Sequence, residues 1–158
     1  MLKGRFTARA ALAALVIFSL ITSALVTPSA FGDILFKRAN LKIETKNGPV
    51  LLNVEVADTE PEREQGLMFR RSVPEKEGMI FLFDGEHEIT MWMKNTFVPL
   101  DMVFIGSDWH IVHIAYNTEP FSTEIISSML PASRVIEIAA GQAKGLGLAV
   151  GDAVSLEN

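Results

Sequence analysis

Residues 89–105 (ITMWMKNTFVPLDMVFI) form the most apolar stretch beyond the first 32 residues, yet Lys94, Asn95, Thr96 and Asp101 stand inside it. Buried lysine and aspartate are costly unless they are paired or hydrogen-bonded. Two arrangements meet that requirement. In one, Lys94 and Asp101 pair across the corner ending in Pro99, an ion pair in which loss of either partner costs about 3–5 kcal/mol. Lys94 then also reaches the ring of Trp92, a cation–π contact of roughly 0.5–1 kcal/mol. In the other, Lys94, Asn95, Thr96 and Asp101 line a pocket for a polar or anionic small molecule. Arg63 and Arg70 are candidates to join that pocket, because Arg63, Leu67 and Arg70 share one face if a helix runs that far. A solvated face is the plainer account of that spacing.

Other chemistries find less support. The chain has no cysteine and no G-x-S-x-G elbow, so no nucleophile can be assigned and the catalytic residues are unknown. Among the carboxylates only Asp101 is singled out, for its place inside an apolar run. His110 and His113 would point to opposite faces of a strand, poor geometry for one metal. Met91 and Met93 share a strand face, and thioethers select Cu(I); methionine is also an ordinary core filler, which leaves copper the lesser alternative. No cofactor is expected.

The elements that must position these residues are short strands. Leu41 to Val56 reads as a hairpin turning at Asn47-Gly48-Pro49, with period-two alternation from Val50. Thr59 and Glu62 form a capping box with Pro61 in the first turn, predicting a helix of about two to three turns that weakens at Gly66. A loop over residues 72–78 leads to a buried strand at 79–83, and residues 84–88 form an acidic turn. Strands follow at 89–93, 100–105 and 109–116. Residues 117–133, with two prolines and many hydroxyls, read as the longest loop, with a turn of helix near Ile125. Strands at 135–139 and 153–156 close the chain around a glycine-punctuated bend at 141–147. The expected fold is therefore mainly β: a single compact β-sandwich or partly open barrel of seven to eight short strands with one short helix.

The chain has 158 residues, 49% of them hydrophobic, which suits one domain behind a leader. Lys3, Arg5 and Arg9 precede the uncharged run 10–21, followed by small residues, the pattern of a signal peptide over residues 1–32. An uncleaved membrane anchor is the alternative, since 10–26 is at the short limit for a span. Either way residues 33–158 form the folded domain, outside the cytoplasm and most simply periplasmic or secreted. That domain holds 11 Lys/Arg against 19 Asp/Glu, a net charge of −8. Such a surface repels nucleic acid and anionic lipid. The expected partner is a small molecule or envelope component, with membrane contact only through an uncleaved leader.

In chain order, Val54-Glu55-Val56-Ala57-Asp58-Thr59, Glu62-Arg63, Gly66-Leu67-Met68 with Arg70, Gly78-Met79-Ile80-Phe81, Met91-Trp92-Met93-Lys94-Asn95-Thr96, Pro99-Leu100-Asp101, Glu137 to Gly141 and Gly151-Asp152 resemble the DUF192 (UPF0127) family. The resemblance runs from about residue 40 to the C-terminus, although Trp109-His110 stands where a glycine-bearing turn is common. It implies a compact, mostly β fold in exported or membrane-anchored bacterial and archaeal proteins, and no established activity. The residues favour a binding or accessory module; an enzyme acting on a periplasmic or cell-wall substrate is the reading from another class.

Overall fold

A computed structural model describes residues 34–157. The leader expected over residues 1–32 lies outside them. Strands β1 (Lys37–Thr45) and β2 (Gly48–Ala57) form the expected hairpin, with Leu41 opposite Leu52. Helix α1 (Glu60–Gln65) follows. Its box closes through the Glu62 carboxylate, which accepts from the Thr59 N–H at 2.9 Å. The helix stops at Gly66, whose φ of +46° suits glycine. A Cβ at Gly66 would lie 3.0 Å from the Phe81 ring, so the bare backbone also packs on that ring.

Strand β3 (Glu77–Met91) runs parallel to β2, and β4 (Leu100–Ile105), β5 (Ile111–Thr118) and β6 (Ile126–Ala139) add antiparallel neighbours. Helix α2 (Gln142–Gly145) and strand β7 (Ala153–Glu157) complete the fold. The strand order is β5-β4-β6-β3-β2-β1-β7. The fold is mainly β, as expected, with all seven strands in one open sheet that is not closed into a barrel. Its two edge strands meet at a single bridge, His110 with Ala153, beside a 2.8 Å bond from the Val154 N–H to the Trp109 carbonyl.

Three local expectations differ from the structure. The acidic turn at 84–88 lies within β3, and much of the loop at 117–133 belongs to β6, which begins at Ile126 without a helical turn near Ile125. The two segments pair with each other, His87 with Ala132 and Met91 with Ile126, past two irregularities in register. Cross-strand hydrogen bonding thus overrides the local turn signals. The bend at 141–147 contains α2, a second short helix.

Both faces of the sheet carry apolar side chains. Leu41, Ile43, Leu52, Val54, Ile80, Val103, Ile105, Ile136 and Ile138 pack on one face. Met79, Phe81, Met93, Leu100, Met102, Phe104 and Val135 pack on the other, with Leu67 of the segment after α1. Every residue of β4 is buried, so its alternation is one of destination, not of exposure.

Candidate functional site

The period of two divides the expected site between the two faces. Asp101 lies in β4 between Leu100 and Met102, which pack with Met93, while Asp101 itself shares the face of Val103 and Ile105. There its carboxylate is fully buried and accepts two backbone N–H groups, from Asn117 and from Ala143, each at 2.9 Å. It ties the end of β5 and the first turn of α2 to β4. Lys94 is exposed and forms no salt bridge with it. The expected Lys94–Asp101 ion pair is therefore absent. The Lys94 ammonium instead stands over the Trp92 ring, 4.9 Å from its centroid, as expected.

The corner itself is a clasp of main-chain groups. Asn95 has φ of +57°, a left-handed conformation that asparagine tolerates. Its carbonyl accepts from the Phe69 N–H at 2.9 Å, and the Thr96 carbonyl accepts from the Phe121 N–H at 3.1 Å. The Met93 N–H donates to the Ser122 carbonyl at 2.9 Å. Residues 93–96 thus hold the segment after α1 and the loop before β6 in one place. The Asn95 amide adds a weak bond to the Met68 sulfur, 3.7 Å away.

The two arginines do not converge. The helix ends before Arg70, so the helical spacing that would align them is not realised. Arg63 donates to the Asp58 and Leu82 carbonyls, both at 2.9 Å, and lies over the Phe83 ring at 5.5 Å. It fastens α1 to β3. Arg70 pairs with Glu55 and lies 5.7 Å from the Phe36 ring centroid. The methionine pair also separates. Met93 is fully buried, its sulfur accepting from the Thr118 hydroxyl at 3.1 Å, whereas Met91 is half-buried at a cavity wall. Among the described residues no three His, Asp or Glu side chains are grouped to hold a metal ion.

That cavity, about 230 Å³, lies between α1, the outer half of β3 and the corner. Arg63, Lys94 and Thr96 of the expected set line it; Asn95, Asp101 and Arg70 do not. Phe81, Phe83, Met91 and Trp92 supply apolar wall, and Glu60 and Glu64 of α1 stand at its side. The residue that gives it chemistry is Glu137. In β6 Glu137 lies opposite Met79 and Met102, on the face of Val135. Its side chain is 4% exposed and lines the cavity, and no donor among the described residues hydrogen-bonds to it. Burial alone pushes its carboxyl up from 4.5 to about 8, so it is mostly protonated at neutral pH.

Glu137 meets the criterion that drew attention to Asp101, a carboxylate inside an apolar run, here Val135-Ile136-Glu137-Ile138-Ala139. Gly78 helps to seat it: a Cβ there would fall 2.2 Å from the Glu137 carbonyl oxygen, so only glycine allows β3 and β6 to approach this closely.

Because Lys94 braces nothing, Lys94→Met is expected to shift the thermal midpoint by less than about 3 °C, given a contact of roughly 0.5–1 kcal/mol. A calorimetric fall of more than about 8 °C would return Lys94 to a bracing role.

Comparison with curated proteins found no match. Solved structures share the fold, two of them as follows. One is a proposed transcription regulator from Sinorhizobium meliloti 1021, 40% identical, with a TM-score of 0.76, covering 79% of this chain and 98% of its own. The other is a protein of unknown function from Novosphingobium aromaticivorans DSM 12444, 33% identical, with a TM-score of 0.75, covering 83% of this chain and 94% of its own. The residues that carry the sequence resemblance now have places in the fold: the capping box, Gly66 on Phe81, the main-chain clasp, Asp101 across the sheet and Gly78 beside Glu137. The chain belongs to the DUF192 family (uncharacterized ACR, COG1430), whose model matches residues 41–156.

Proposed function

We propose that this domain is a small-molecule-binding or accessory module that works outside the cytoplasm. Its ligand enters the cavity between α1, β3 and the Lys94–Thr96 corner. The single observation behind this reading is Glu137, a carboxyl 4% exposed with no hydrogen-bond partner among the described residues, facing an otherwise largely apolar cavity. Polar groups in such a position are usually hydrogen-bonded within the fold, and the exceptions concentrate at functional sites. Apolar walls with one or two placed polar groups are the ordinary composition of a ligand pocket. The basic leader followed by an apolar run supports export. The regulatory role proposed for the Sinorhizobium relative has no counterpart in the charge of this domain, which is −8 over residues 33–158 and opposes direct contact with nucleic acid.

An enzyme acting on an envelope substrate is the second reading. The raised proton affinity of Glu137 favours it, because a carboxyl titrating near neutral pH suits general acid–base work. Binding is preferred because Arg63, a half-buried charge of the cavity wall, is committed to main-chain carbonyls.

The test is a thermal-shift screen of small molecules on residues 33–158 and, in parallel, on Glu137→Gln. A ligand of this cavity at 100 times its Kd stabilises the parent by about 2.7 kcal/mol and loses most of that effect in the variant. Hits that stabilise both proteins equally would locate binding elsewhere and remove the cavity from the account. Turnover of a hit by the parent and not by Glu137→Gln would move the assignment to the enzyme reading.

A further inference from the structure

We propose that the ligand of this cavity is a small organic cation, an amine whose ammonium group lies against the Glu137 carboxylate and whose apolar part lies along Phe81, Met91 and Trp92. The inference rests on the reading of the cavity as a ligand site and adds the chemical class of what occupies it.

Charge balance carries the argument. The charged groups facing the cavity are Glu60, Arg63 and Glu64 from α1, Lys94 from the corner and Glu137 from β6; the lining residues of β3 are Phe81, Phe83, Thr90 and Met91, none of them charged. Glu60 and Glu64 are matched in number by Arg63 and Lys94. Once ionised, Glu137 is the surplus charge, and it is the one nine-tenths buried. An anionic ligand would meet that carboxyl with no free buried cation to offset it, because Arg63 donates to the Asp58 and Leu82 carbonyls. A neutral ligand would leave an ionised Glu137 without a counter-charge. A cation supplies both the missing charge and the missing hydrogen-bond donor.

The walls fit the same class of ligand. Aromatic faces attract cations through their quadrupoles. Two rings of this cavity already do so with the chain's own groups, Phe83 with Arg63 and Trp92 with Lys94. The half-open cavity, about 230 Å³, has room for a small ammonium group with a short apolar tail beside Glu137.

The experiment compares three probes with one four-carbon tail, n-butylammonium, 1-butanol and butyrate, titrated into isotopically labelled residues 33–158. The Trp92 indole N–H and the Met91 methyl serve as reporters. The amine is expected to bind at least about tenfold more tightly than the other two at pH 9, a difference of one close charge pair. Its affinity should rise about thirtyfold between pH 6.5 and pH 9, where the ammonium is still protonated and Glu137 loses its proton. Glu137→Gln should abolish both the preference and the pH dependence, and the pH comparison on the parent stands without any variant. Preference for butanol or butyrate, affinity for the amine that is flat with pH, or unchanged amine binding in Glu137→Gln would each overturn the cation assignment and leave the cavity as a ligand site. Absence of binding by all three probes at about 50 mM, well above a Kd of 1 mM for −4.1 kcal/mol, would overturn the cavity reading as well.

Discussion

Asp101→Ala is expected to lower stability by about 3–5 kcal/mol, which for a domain of this size moves the thermal midpoint down by 10 °C or more. The magnitude follows from what the carboxylate holds. Its two oxygens accept the Asn117 and Ala143 N–H groups at 2.9 Å each, in a fully buried position. Hydrogen bonds to a charged group contribute about 1.5–3 kcal/mol each, and removing the acceptor strands two buried donors at a further cost. Ala143 is itself fully buried in α2, so water does not readily replace the lost oxygen. Asp101→Asn should fall between parent and alanine, because the amide keeps one acceptor oxygen and turns its NH2 toward the other backbone donor. Denaturant unfolding of the three proteins measures the series. A loss below about 1 kcal/mol for alanine would show that Asp101 is not a brace, and the carboxylate would again need a ligand to explain its burial.

How much of this was legible in the chain depends on which signals were local. The β1–β2 hairpin and the start of α1 follow from alternation, turn chemistry and a capping box, all of which act within a few residues. The outer half of β3 paired with the start of β6 does not, because cross-strand partners such as His87 and Ala132 are 45 positions apart and their turn-like composition is outweighed by the ladder. The site shows the same division. That Lys94 and Asp101 matter is visible from polar residues in an apolar run; that they serve opposite faces depends on the strand register on either side of the Pro99 corner. Lys94 reaches Trp92 because they are two residues apart, whereas Arg63 and Arg70 separate because Gly66 ends the helix between them. Glu137 was readable by the test applied to Asp101, but its lack of a partner was not. Only the fold shows that Met79 and Met102 flank it and that the nearby cations are engaged elsewhere.

Glu137 also makes stability depend on pH in a direction opposite to that of most carboxylates. Its carboxyl titrates at 4.5 when the chain is unfolded and at about 8 in the folded domain, with burial as the cause. Between those values the native state holds a proton that the unfolded state has released, so stability falls as pH rises, by up to 1.36 kcal/mol per pH unit. The contribution is fully present below pH 4.5 and is lost by the time pH has risen through 8; the window allows a loss of about 5 kcal/mol. Groups such as Asp58, held below the usual carboxylate range by the Lys37 ammonium, act the other way and at lower pH. The clean observable is therefore the difference between the parent and Glu137→Gln, which keeps the shape of the side chain and cannot ionise. That difference should be small at pH 5, should grow in favour of the variant up to about pH 8 and should level off by pH 9, where the glutamine protein is expected to melt about 10 °C or more above the parent. A difference that stays flat from pH 5 to pH 9 would mean that Glu137 ionises in the cavity at little cost, with water reaching it. Repeating the series with saturating n-butylammonium joins stability to binding. A cation held by the ionised carboxylate should remove much of the parent's loss at pH 9 and leave the variant unchanged, because a ligand stabilises only the state that binds it.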